Sequence, residues 1–155
     1  MSDLISKKIT LESGATAWTP CYVGTESIGA GTNIGSLSHV GRNVVVGKNC
    51  KIQGSVYIAD KTTIGNNVFI GPGAVITNDK YPPSGGKWNP VKVADGVVIG
   101  GNSTIVAGVS LGQDCVVAAG AVVTRSVPEK EVWAGNPAKF MMHREEYENK
   151  SENYE

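Results

Sequence analysis

Residues 28–47 read Ile28-Gly-Ala-Gly-Thr-Asn-Ile34-Gly-Ser-Leu-Ser-His-Val40-Gly-Arg-Asn-Val-Val-Val46-Gly. An aliphatic residue followed by glycine returns at every sixth position. The step continues through Ile52, Ile58, Ile64, Ile70 and Ile76, and every position of this phase from Ile28 onward is a β-branched aliphatic. After an interruption it restarts at Val93 and passes through Ile99, Ile105, Leu111, Val117 and Val123. Four places after each aliphatic stands a small or β-branched residue: Thr32, Ser38, Val44, Cys50, Val56, Thr62, Val68 and Ala74, then Val97, Ser103, Val109, Cys115, Ala121 and Val127.

A helix of 3.6 residues per turn would smear a period of six around its whole surface. A short strand accommodates it, with the aliphatic and the residue two before it pointing inward and the residue between them pointing out. The glycine after the aliphatic is expected to turn the corner. Three six-residue units close one triangular coil, and coils stacked by parallel pairing bury an aliphatic column behind each face. The fold expected is therefore all-β, a parallel β-helix, with residues 17–128 making about five to six coils.

Composition agrees. The 155 residues suffice for one domain, 1–155, and 20 of them are glycine, as a fold with many tight corners requires. Lys plus Arg and Asp plus Glu both number 14, which argues against a nucleic-acid or membrane-surface binder. Met-Ser-Asp-Leu-Ile-Ser-Lys-Lys does not fit a secretory leader, and no apolar run approaches the ~20 residues that cross a bilayer. Cys21, Cys50 and Cys115 share no metal-ligand spacing. Cys50 and Cys115 fall in the small-residue phase and read as buried packing thiols of a reducing, cytoplasmic compartment.

The pattern aliphatic-Gly-x-x-small-x resembles the left-handed parallel β-helix, hexapeptide-repeat acyltransferases over nearly the whole chain. Left-handedness is implied by that resemblance alone, since crossover connections are ordinarily right-handed. Trimerisation is implied too, with active sites between subunits, and outward columns containing Val45 and Phe69 are compatible with such an interface. Residues 1–16 read as an irregular or short-strand cap. Residues 129–155 read as a C-terminal loop and a helix from Lys139 onward, with Phe140, Met141 and Tyr147 free to pack on the last coil.

The cadence breaks between Ile76 and Val93, over residues 77–92, Thr77-Asn-Asp-Lys-Tyr-Pro-Pro-Ser-Gly-Gly-Lys-Trp-Asn-Pro-Val-Lys92. Three prolines and two glycines make this an inserted loop, and a long excursion from a regular solenoid is more often functional than decorative. In the family's O-acetyltransferases a histidine near this point serves as general base, and this loop has none. Its Thr77-Asn78-Asp79 followed by Tyr81-Pro82 is instead similar to the nucleotide-sugar N-acetyltransferases, which acetylate a 3-amino group on UDP- or dTDP-linked sugars. Ser38-His39 and Lys51-Ile52-Gln53 match that subgroup as well.

The resemblance implies that Asn78 binds and orients the amine, which attacks the acetyl-CoA thioester directly. A neutral amine needs less help from a base than a hydroxyl does. Asn78 cannot take a proton; Asp79, His39, water and the departing thiolate are all open as its route. His39 reads either as a substrate or catalytic contact or as an interface histidine. It stands two coils from Asn78, with Tyr57 and Val75 in its column, and is expected to reach a neighbouring subunit's site more readily than its own. Asp79, Tyr81, Tyr57 and Gln53 complete the expected acceptor site.

The cosubstrate acetyl-CoA is implied along Gly101, Ser103, Ala119, Thr124 and Arg125, and along Pro137 and Lys139 of the Gly135-Asn-Pro-Ala-Lys139 segment. No metal is required. An O-acetyltransferase of a sugar or small alcohol is disfavoured by the missing loop histidine. A γ-type carbonic anhydrase needs three histidine ligands, and the chain has two. A non-catalytic β-helix scaffold leaves the loop and the Asn-Pro-Ala segment without a purpose.

Overall fold

A computed structural model describes residues 5–154; residues 1–4 of the expected N-terminal cap, and of the stretch judged not to be a leader, lie outside them. The chain winds into a three-sided parallel β-solenoid. The first face stacks Thr16–Thr19, Asn33–Ile34, Lys51–Ile52, Phe69–Ile70, Val98–Ile99, Val116–Val117 and Glu131–Ala134. The second stacks Tyr22–Val23, His39–Val40, Tyr57–Ile58, Val75–Ile76, Thr104–Ile105 and Val122–Val123. The third holds Val45–Val46, Thr63–Ile64, Lys92–Val93 and Ser110–Leu111, extended by bridges from Ile28 to Val46 and from Leu111 to Val127. The first face thus carries seven parallel rungs against the five to six coils expected, because Glu131–Ala134 resumes the winding past Pro128.

Each two-residue strand puts its second residue inward. Ile34, Ile52, Ile70, Ile99, Ile58, Ile76 and Ile105 are fully buried, and burial of each such side chain favours folding by about 1.5–3 kcal/mol. Backbone amides climb from coil to coil, as from Gly35 N–H to Ile52 O at 2.7 Å and from Gln53 N–H to Ile70 O at 2.9 Å. The buried hydroxyls find corner carbonyls: Thr32 donates to Gly47 O at 2.8 Å, Ser38 to Gln53 O at 2.9 Å and Ser103 to Gly100 O at 2.7 Å. Cys50 and Cys115 are fully buried free thiols, as expected, and burial pushes the Cys115 thiol up to about 12.

The corner glycines act differently from the expectation. Left-handed backbone sits three places after the aliphatic, at Leu37, Asn43, Asn49, Ser55, Lys61 and Asn67 among others, and not at the glycine that follows it. That glycine is needed because the next coil lies against it. A Cβ at Gly35 would stand 2.5 Å from the carbonyl carbon of Gln53 and from Gly54 N.

Both ends are closed by antiparallel strands. Lys7–Thr10 pairs with Thr16–Thr19 at one end. At the other, Lys139–His143 pairs with Glu131–Ala134, so residues expected to begin a helix form a strand, and the helix runs only over Arg144–Glu152. The terminal rung offers unpaired backbone groups, and pairing satisfies more of them than an isolated helical turn would. Phe140 and Met141 point to solvent, and Met142 packs on Val116 and Val132 with Tyr147 beside it. Trp133 plugs the open end of the aliphatic column, donating its indole N–H to Glu131 Oε2 at 2.7 Å.

The inserted loop leaves after Ile76. Val91 and Lys92, expected in the loop, already belong to the next coil: Val91 is fully buried and its carbonyl accepts Thr63 N–H at 3.2 Å. The loop's base is pinched by a bond from Asn89 N–H to Asn78 O at 2.7 Å.

Candidate active site

Parallel pairing in register places every residue of one coil over its counterpart in the next. On the second face this aligns Tyr22 with His39 and His39 with Tyr57. Their rings stack, with centroids 4.6 and 4.7 Å apart and planes inclined by 17° and 15°. At the corner after this face, Asn78 lies over Asp60 and Asp60 over Arg42. Asn78 Nδ2 donates to the main-chain carbonyl of Asp60 at 3.3 Å. Asp60 Oδ1 accepts Arg42 N–H at 2.8 Å, and Oδ2 accepts Arg42 Nε–H at 2.9 Å. Partial burial pushes the Asp60 carboxyl up, but the amide and guanidinium of Arg42 outweigh it and hold the group below the usual carboxylate range.

The returning limb of the loop supplies the remaining wall. Trp88 stands over this corner with the ammonium of Lys61 5.5 Å from its ring centroid. Tyr22, His39, Arg42, Tyr57, Asp60, Asn78 and Trp88 together line one cavity of about 310 Å³. His39 and Asn78, two coils apart as the spacing implied, both line this cavity within one chain.

The other expected acceptor residues are not among those lining this cavity, Tyr57 excepted. Asp79 turns back into the loop, its carboxylate accepting Ser84 N–H at 2.9 Å and Tyr81 N–H at 3.2 Å. The Ser84 amide is the largest influence holding Asp79 below the usual range, against a smaller upward push from burial. Tyr81 is 80% exposed, and Gln53 sits at the corner between the first and second faces. Tyr22, Arg42, Asp60 and Trp88 escaped the sequence reading. Stepping back one coil at a time from Asn78 lands on Asp60 and then Arg42, so the signal for those two was present.

The expected cosubstrate residues divide between two corners. Gly101 and Ala119 lie where the first face turns into the second, joined through Gly120 N–H to Gly101 O at 2.9 Å, while the Ser103 hydroxyl is buried in that turn. Ala119 also lines an apolar groove of about 400 Å³ with Phe69, Val98, Val116, Met141 and Tyr147. Thr124 and Arg125 belong to the Asn78 corner, two coils further along, and the Arg125 guanidinium lies 5.0 Å from the Trp133 ring centroid. Pro137 and Lys139 are exposed at the C-terminal end. Among the described residues no helix is long and apolar enough to cross a membrane.

Residues 27–60 and 43–78 match the model of the bacterial transferase hexapeptide (six repeats), and residues 90–125 match the hexapeptide repeat of succinyl-transferase. A 2,3,4,5-tetrahydropyridine-2,6-dicarboxylate N-acetyltransferase of Staphylococcus aureus is 45% identical over 84 residues, 54% of this chain and 34% of its own. The chain thus spans about a third of the length of the curated relatives it matches. The acetyltransferase domain of PglB from Neisseria gonorrhoeae, solved with acetyl coenzyme A, superposes with a TM-score of 0.73 at 20% identity, over 83% of this chain and 58% of that one, a likeness of fold. The hexapeptide-repeat-containing acetyltransferase VCA0836 of Vibrio cholerae, also complexed with acetyl coenzyme A, gives a TM-score of 0.60 at 28% identity, over 76% of this chain and 72% of that one.

Proposed function

The chain belongs to the hexapeptide-repeat transferases, and from that premise we propose that it is an acetyl-CoA-dependent N-acetyltransferase acting on the 3-amino group of a UDP- or dTDP-linked sugar. One observation carries the reading: a single cavity joins the Asn78 amide, His39, three aromatic rings and Arg42, with Lys61 beside Trp88. The Trp88 ring suits the face of a sugar or base. Cations at the rim suit a diphosphate.

In this mechanism the neutral amine attacks the thioester carbonyl, a C–N bond forms, and the C–S bond breaks to release CoA thiolate. One Asn78 N–H is committed to the Asp60 carbonyl, which orients the amide so that its oxygen and second N–H can hold the amine. Of the groups able to take the amine's proton, Asp60 and Asp79 are already hydrogen-bonded and held acidic. His39, in the same cavity, is the better acceptor. The thiolate or water then carries the proton away.

Acetyl-CoA would approach from the C-terminal coils along Thr124 and Arg125, which share the Asn78 corner, with Gly101, Ser103 and Ala119 on the adjoining corner and Pro137 and Lys139 near the nucleotide end. The protein is read as a cytoplasmic homotrimer, closed through outward columns such as those of Val45 and Phe69. The likeness to the Staphylococcus aureus enzyme favours one competing acceptor, the ring nitrogen of tetrahydropyridine dicarboxylate, a cyclic imine.

The test is thiol release from acetyl-CoA with a panel of UDP- and dTDP-3-amino sugars, the corresponding 3-hydroxy sugars and tetrahydropyridine dicarboxylate. Turnover confined to the amino sugars is expected. Turnover only with hydroxyl acceptors would overturn N-transfer, and turnover only with the dicarboxylate would overturn the sugar assignment.

A further inference from the structure

His39 occupies the outward position of a two-residue strand, where its own coil gives it no lateral support. The residues one coil before and one coil after it are both tyrosines, whose rings lie nearly parallel to the imidazole at 4.6 and 4.7 Å. These separations match the ~4.8 Å spacing of paired strands. The three rings form a ladder imposed by backbone register. A tyrosine ring thus lies against each face of the imidazole, and its edge, which carries the nitrogens, is left to face the cavity that His39 lines.

A second feature shows how closely Tyr22 is fitted. Its ring lies down over Gly24, where a Cβ would stand 2.9 Å from Tyr22 Cε1 and 3.0 Å from its hydroxyl oxygen. Gly24 N–H is held by Val40 O at 2.8 Å, so the surface under the ring is fixed by the coil that carries His39. Tyr22 and Tyr57 remain 49% and 44% exposed; the arrangement does not arise from core packing.

Resting on the reading of His39 as the proton acceptor, we propose that Tyr22 and Tyr57 are positioning residues that clamp the His39 imidazole edge-on to the cavity. Proton transfer to an imidazole is directional, since the accepting lone pair lies in the ring plane. A ring free to rotate about its two side-chain torsions would spend most of its time misaligned, and small misplacements of a reacting group carry large penalties in rate. The two tyrosines act through His39, and their phenol oxygens are dispensable to that role.

The test is a double-mutant cycle on the full chain, with acetyl-CoA and a dTDP-3-amino-3-deoxyhexose as probe substrates. Tyr22→Leu should lower kcat about tenfold with little change in KM for acetyl-CoA, as expected for loss of positioning. Tyr22→Phe keeps the ring and should recover kcat to within about threefold of the parent on the same argument. With His39→Asn already present, Tyr22→Leu should change kcat by less than about twofold, because residues acting as one unit are not additive. An equal loss in both backgrounds would overturn the clamp and make Tyr22 a substrate contact or a purely structural residue. If His39→Asn lowers kcat and Tyr22→Leu does not, the clamp fails alone. A parent-like kcat in His39→Asn, or no turnover of the probe by the parent, removes the reading of the site and the clamp with it.

Discussion

Asn78 Nδ2 donates to the backbone carbonyl of Asp60 across one coil, at 3.3 Å. The bond ties the first residues of the inserted loop to the regular solenoid beneath them. It also leaves the Asn78 carbonyl oxygen and one N–H for a ligand, so the residue is anchored and available together.

Asn78→Ala should reduce kcat/KM for the amine acceptor roughly tenfold or more while the thermal melt stays close to the parent's, the scale of one lost positioning contact. Asn78→Asp should do no better, because a carboxylate oxygen would face the Asp60 carbonyl instead of a donor. Steady-state kinetics with either variant matching the parent would take Asn78 out of the site.

The Asp60–Arg42 pair sets a pH dependence of stability. The folded-state pKa of Asp60 lies below its ordinary value. Its contribution is therefore complete above the unfolded value of about 3.9 and is lost as pH falls through the lower folded value. Because the Arg42 side chain is 67% exposed, the pair is worth only about 0.5–1 kcal/mol. The Tm difference between the parent and Asp60→Asn should stay constant from pH 7 to about pH 5 and shrink below about pH 4. A difference that grows on acidification would refute the assignment.

Two corner substitutions should move stability in opposite directions. Gly35→Ala forces a methyl into the Gln53–Gly54 backbone and should cost about 1–3 kcal/mol. Leu37 has φ 63° and is 69% exposed, so Leu37→Asn, a residue that tolerates left-handed backbone, should gain about 0.5 kcal/mol. Denaturant melts of the two variants separate the corner's two demands.

Ile64 is 3% exposed in the aliphatic column. Ile64→Asp places a lone charge there without a partner, at a cost of about 4 kcal/mol or more. Loss of the cooperative transition in circular dichroism is the expected result, and a parent-like melt would contradict the inward assignment of this phase.

The amino-acid sequence by itself determined the solenoid, since burial repeats every six residues and each repeat states the same local preference many times over. It also determined which residues share a column, because in-register stacking makes position along the chain a coordinate: His39 over Tyr57, and Asn78 over Asp60 and Arg42. Only the tertiary structure decided what lies outside that periodicity. Trp88 reaches the cavity because Asn89 closes on Asn78, a contact with no repeat to announce it. Lys139–His143 became a strand because the last coil presents an open edge. The corner glycines proved to be clearance for the neighbouring coil rather than left-handed turns. Periodic burial is a local property, legible one residue at a time; closure of a loop, capping of an end and clearance between coils exist only once distant segments have met.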